Sequence, residues 1–209
     1  MFFCKIMNVL LQSVYAGNVN YYAALVKAKS VLIDVNEHFL KQSYRNRCVI
    51  AGANGALNLI VPVLRQKGKM KLKNVKIDYS QNWQKIHWKS LESAYRTSPY
   101  FEFYESQFKG IYNSNEYYLL VDWNFAIHKV IISCLKQEFN HKKTDDYYPE
   151  IKNFEDLREK IHPKKGYTSH CKMNPYPQVF DDRMKFIPNL SVLDLLFNEG
   201  PYAIQWLLA

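Results

Sequence analysis

Two short apolar runs with one helical segment between them constrain this fold most. Ile6 to Leu11 reads as a buried strand. Val19 to Lys27 follows with helical spacing, placing Tyr22, Leu25 and Val26 on one face. Val31 to Ile33 is a second apolar run, closed by Asp34. Strand, helix and strand in so few residues predict a βαβ unit with parallel strands. Ligands of such sheets sit beyond the carboxyl ends of the strands. Those ends lead into Gln12 and Tyr15 on one side and Asp34 on the other.

The stretch CVIAGANGALNLIVPV reads as a hairpin turning at Asn54-Gly55, because a tight turn needs positive φ. Leu57, Leu59, Val61 and Val63 alternate on its second arm. Arg65 to Lys73 reads as a mobile, lysine-rich loop, and Val75 to Tyr79 as a further strand. Ser80 suits an N-cap for a helix from Gln81 to about Thr97. Trp83, Ile86, His87, Leu91 and Ala94 share its apolar side, opposite Lys85, Lys89, Glu92 and Arg96. Pro99 ends that helix, and a second one runs to about Lys109. Glu116 to Gln137 is apolar around most of its circumference and is expected to be a buried helix.

The predicted class is α/β: an N-terminal βαβ unit with mixed sheet and hairpin, then a mainly helical C-terminal half, in a single domain over residues 1–209. Within it, 139–188 is expected to wrap irregularly, with a short polar helix from Asn153 to Ile161. Residues 189–209 are expected to form C-terminal helices. Asn189 or Ser191 would cap the first, Gly200 would end it, and Pro201 fits the first turn of the next.

Lysine and arginine outnumber acids by 28 to 19, which favours anionic partners, although many lysines can equally serve solubility. Cys4, Cys48, Cys134 and Cys171 are widely spaced, which fits a reduced cytoplasmic setting. The start MFFCKIMNVLLQSVYAG lacks a charged n-region and an A-x-A site, so it reads as a strand rather than a signal peptide. Tyr117 to Leu135 contains Asp122, His128 and Lys129, which argues against a membrane span.

The segment from Asn36 to Arg47 is the richest in chemistry. Lys41, Arg45 and Arg47 alternate with Gln42, Ser43, Tyr44 and Asn46. An arginine fork matches phosphate or carboxylate oxygens in pairs, and neighbouring amides and hydroxyls can read a sugar. The alternative is a solvated loop in which an arginine pairs with Asp34 or Glu37. His87 is the candidate for proton transfer near neutrality, its alternative being a packed histidine satisfied by one hydrogen bond. Trp83 and Trp88 could stack on a ring, or simply pack in the core. His170-Cys171 lacks an oxyanion-type glycine loop, and the histidines and cysteines show no zinc spacing. GxGxxG, Walker A and GxSxG motifs are absent, as is any recognisable nucleic-acid-binding module, so neither cofactor nor metal is expected, and nucleic acid is not the expected partner.

Several segments together resemble the WbqC-like protein family: NYYAALVKA, EHFLKQSYRNRCVIAGANGALNLIVPV and KNVKIDYSQNWQKIHWKSLESAYRTSPYFEFY. The tail QVFDDRMKFIPNLSVLDLLFNEGP is similar to the C-terminal segment of many members. The resemblance places the family's signature positions at Lys41, Ser43, Asn46 and Arg47, and at Trp83, His87, Trp88, Ala94 and Tyr95. One departure is Ala16-Gly17, where members usually carry proline after the position of Tyr15. The resemblance implies a role in bacterial surface polysaccharide (O-antigen or capsule) biosynthesis. It further implies a transferase that moves glycine or another acyl group to an amino-sugar, here one linked to a nucleotide. In that reading Lys41, Arg45 and Arg47 hold the diphosphate. Gln12, Tyr15 and Asn46 position the sugar, and His87 takes the proton of the attacking amine. Asp34, Gln42, Ser43, Trp83 and Tyr95 complete the expected substrate-binding set. The competing reading is a ligand-binding or scaffold protein of the same pathway, because the chain offers no nucleophile or acyl-carrier motif.

Overall fold

The structure is a computed structural model and describes residues 7–65, 68–137, 141–166, 170 and 172–209. Strand β1 (Asn8–Gln12), helix α1 (Val19–Lys27) and strand β2 (Ser30–Asp34) form the expected parallel βαβ unit. Val9 lies opposite Val31 and Leu11 opposite Ile33, all four buried, as strands covered on both faces require. Asn18 caps α1 by accepting the Tyr21 amide at 2.9 Å. Ile6, the expected first residue of β1, lies outside the described residues.

Strands β3 (Arg47–Gly52) and β4 (Gly55–Ile60) form the antiparallel hairpin as a two-stranded sheet of their own. Its two-residue turn is Ala53-Asn54, one position earlier than the sequence suggests. Gly55 takes φ 111°, but as the first residue of β4. Leu59 and Val61 are buried, whereas Leu57 stands near the tip beyond the core and is exposed. No strand forms over Val75 to Tyr79. Lys76 and Ile77 make only isolated bridges, to Leu119 and Val63.

Helices α2 (Trp83–Tyr95), α3 (Phe101–Tyr112) and α4 (Leu120–Cys134) follow. Helix α2 starts later than predicted, and its N-cap is Asn82 rather than Ser80, without a side-chain cap bond. Ile86 is 59% exposed, so the buried stripe of α2 runs through Trp83, His87, Leu91 and Ala94 and leaves Ile86 beside it. Arg96 bridges Glu92 and Glu105, tying α2 to α3.

Two three-residue strands arise inside the stretch expected to be irregular. Strand β5 (His141–Lys143) pairs in parallel with β2, and β6 (Phe154–Asp156) pairs in parallel with β1. The sheet order is therefore β5-β2-β1-β6. β6 replaces the start of the polar helix expected over Asn153 to Ile161, because pairing with the edge of β1 satisfies more backbone groups than a short solvated helix would.

Helices α5 (Val192–Glu199) and α6 (Ala203–Leu208) close the chain. Ser191 caps α5, Gly200 ends it at φ 54°, and Pro201 opens the next turn, as the sequence implies. This end is stitched to the loop after β1: Ser191 Oγ donates to Ala16 O at 2.7 Å and the Val192 amide to Gly17 O at 2.9 Å. Ala16 has φ 41°, which proline, locked near −65°, could not adopt. The departure at Ala16-Gly17 is thus built into a buried loop clamped by α5. Among the described residues, no helix is long and apolar enough to cross a membrane.

Candidate functional site

Beyond Asp34 the chain turns sharply. The buried Asp34 carboxylate accepts the Asn36 and Glu37 amides and the Thr144 hydroxyl, and it receives Arg158 Nη1 at 2.6 Å. It is fully buried and organises the strand end from inside. Residues 38–39 then run beside 70–71: the Phe39 amide donates to Met70 O at 2.9 Å and His38 bridges to Lys71. Leu72 is fully buried and its amide donates to Glu37 O at 2.7 Å. The C-terminal half of the expected mobile loop is therefore docked across the strand ends. Gln66 and Lys67 lie outside the described residues.

Between that docked strap and the base of the hairpin lies a cavity of about 650 Å³, within the size range of small-ligand sites. Lys41, Gln42, Asn46 and Arg47 line it, together with Arg65 and Lys69. No carboxylate lines it, and none of its four cations forms an ion pair among the described residues. Arg47 Nε is buried with no hydrogen-bond partner among those residues. Asn46 is fixed by donation from Nδ2 to Val61 O at 2.8 Å, and Gln42 holds the left-handed backbone at φ 57°. Non-glycine residues in that region are strained and gather at binding sites.

Arg45 goes elsewhere. It is fully buried and binds Glu37 with both Nε and Nη2, so the alternative of an internal ion pair applies to this arginine. Burial pushes the Glu37 carboxyl up to about 7, against the pull of Arg45. Ser43 donates to Leu40 O at 2.6 Å and shapes the same loop from inside.

The remaining expected residues belong to the core. The Tyr15 hydroxyl lies 3.0 Å from His87 Nδ1 and 2.6 Å from the Tyr112 hydroxyl. His87 is 4% exposed and also bonds the Ile60 backbone, while burial lowers its pKa to about 4. Trp83 packs edge-on against Trp123 and His87. Tyr95 donates to Asp194 at 2.8 Å and accepts the Ala51 amide. Gln12 donates to Ile161 O at 2.8 Å. Neither His87 nor Tyr15 lines the basic cavity, so the structure does not bring His87 to Lys41 and Arg47.

Sequence reasoning did not assign Arg65 and Lys69 to the site. Their signal was the lysine-rich run after the hairpin, read as a mobile loop. His170 is described, whereas Cys171 lies outside the described residues. Cys48 and Cys134 are buried, and burial raises both thiols, Cys134 to about 12, which leaves them poor nucleophiles. Among the described residues, no three His, Cys, Asp or Glu side chains converge as metal ligands.

The model of the WbqC-like protein family matches residues 12–169, about three quarters of the chain. The chain belongs to the WbqC-like protein family. The matched stretch begins at the last residue of β1 and takes in α1, β2, the hairpin, α2 to α4, β5, β6 and every residue of the basic cavity, while α5 and α6 lie beyond it. No curated protein and no solved structure matches the chain.

Proposed function

We propose that this WbqC-like protein binds a phosphorylated or nucleotide-linked sugar through the cavity of Lys41, Arg47, Arg65 and Lys69. We further propose that it transfers glycine or another acyl group to an amine on that sugar, in cytoplasmic assembly of a bacterial surface polysaccharide. The single observation behind the reading is a cavity whose four cations have no ion-pair partner, and which no carboxylate lines, among the described residues. Such a set attracts a multiply charged anion, and Gln42 and Asn46 add the amides that hydrogen-bond sugar hydroxyls.

Arg45, Ser43 and Asp34 act in this reading by shaping the loop. Gln12, Tyr15, Trp83 and Tyr95 hold the scaffold beneath it. The neutral, enclosed His87 would need the core to open before it met an amine. That seat favours a second reading, in which the protein binds its ligand without transforming it.

The two readings separate in one experiment. The protein is incubated with nucleotide-linked amino-sugars and with acyl donors, including glycine plus ATP and acyl thioesters, and products are sought by mass spectrometry. An acylated sugar that disappears with Arg47→Ala supports transfer. Saturable binding without any product supports the binding role.

A further inference from the structure

A second cavity of about 560 Å³ opens beside the basic one, and the two share Phe39 and Lys69 as a common wall. We infer that the pair is one bipartite site for a nucleoside diphosphate group, with the diphosphate in the basic cavity and the nucleoside in its neighbour. This rests on the anion reading above and specifies which part of the ligand goes where.

The second cavity stands over the carboxyl ends of three parallel strands. Glu37 and His38 follow β2, Tyr147 follows β5, and Arg158 and Glu159 follow β6. That edge is where open parallel sheets receive ligands. Its chemistry complements that of the basic cavity. Glu37, Asp156 and Glu159 line it together with Lys69, Arg158 and Lys160, so acids balance cations there, and its carboxylates can accept hydrogen bonds from ribose hydroxyls and a base amino group. One compartment with four cations and no carboxylate, and one in which three acids face three cations, set the direction in which a nucleotide lies.

Tyr147 supplies a surface for the base. Its ring is supported by the Arg158 guanidinium 5.5 Å from its centroid and by the edge of His38 at 6.2 Å. Arg158 is itself held by Asp34 and Asp156, so the support is rigid. Tyr147 remains 39% exposed, which leaves ring surface for stacking. The partition between the compartments is the paired strap of residues 38–39 and 70–71, and Lys69, just before it, reaches both.

Calorimetric titration of the full chain tests this, with inorganic pyrophosphate, UDP, GDP, ADP and CDP as probes against wild type, Tyr147→Ala and Arg47→Ala. At least one nucleoside diphosphate should bind about tenfold or more tighter than pyrophosphate, the increment one stacked base supplies. Tyr147→Ala should remove that increment and leave pyrophosphate binding unchanged, whereas Arg47→Ala should weaken both. Equal affinity for pyrophosphate and every nucleotide, or a Tyr147→Ala variant that keeps the increment, would overturn the nucleoside compartment while the anion site stands. No binding by any probe would overturn both.

Discussion

The Tyr15–His87–Tyr112 cluster and the basic cavity are built from the same kinds of residue and do opposite things. In the cluster each polar atom is turned inward to another protein group, and burial keeps His87 neutral. In the cavity Lys41, Arg65 and Lys69 are exposed, Arg47 is half-buried, and none of them has a carboxylate partner among the described residues. Polar residues that have spent their hydrogen bonds on one another specify a core. Polar residues left without partners, side by side, specify a ligand.

Arg45 and Arg47, two positions apart, sharpen the contrast most. Arg45→Ala strands the buried Glu37 carboxyl and should cost about 3–5 kcal/mol of stability, read from urea denaturation. A loss below about 1 kcal/mol would mean that the pair is not the internal anchor described, since exposed pairs are worth no more.

Acid tests the buried side of the comparison. His87 has an ordinary pKa of 6.5, lowered to about 4 in the folded chain. Between those values the unfolded chain binds more protons, so the contribution of His87 is complete above pH 6.5 and is lost as the pH falls toward 4. Glu37 and Asp194, both raised, work in the opposite sense, but they are common to wild type and variant. The His87→Gln variant should therefore lose stability less steeply than wild type across that window, by up to about 1.4 kcal/mol per pH unit. Parallel profiles would show that His87 titrates normally and reaches solvent.

Tyr15→Phe removes the hydroxyl between His87 and Tyr112 and should cost about 1–3 kcal/mol, with nucleotide binding unchanged. A variant of wild-type stability that no longer binds would instead place Tyr15 in the ligand site. The smallest stability effect is expected in the cavity. Arg47→Ala and Arg65→Ala should each shift unfolding by less than about 0.5 kcal/mol while weakening anion binding severalfold.

The βαβ unit was legible because its two apolar runs and one helical stripe follow strand and helix periods. Strands β5 and β6, with sequences HKK and FED, carry no such period. They are strands because the edges of β2 and β1 offer unpaired backbone groups to them. In the site, Lys41, Gln42, Asn46 and Arg47 could be read from their density in one segment. Arg45 could not be told from Arg47, since its partner is decided by the turn that brings Glu37 inward. Arg65 and Lys69 join the site through the strap pairing at Phe39 and Met70, and Tyr147 through the edge position of β5, contacts that span long stretches of chain. His87 looked catalytic because a histidine on an apolar helical face is equally a base in a cleft or a donor in a core. Tyr15 and Tyr112, far away in sequence, decide which.

The central claim is that the cavity of Lys41, Arg47, Arg65 and Lys69 is the anion site. Titration of inorganic pyrophosphate into wild type and an Arg47→Ala/Arg65→Ala variant, repeated across a salt series, tests it most directly. The account predicts saturable binding that weakens with salt, and at least about a tenfold loss in a variant of unchanged stability, as expected when two charge-assisted contacts disappear. Equal affinity in the two proteins, or no binding to the wild type at low salt, would contradict it.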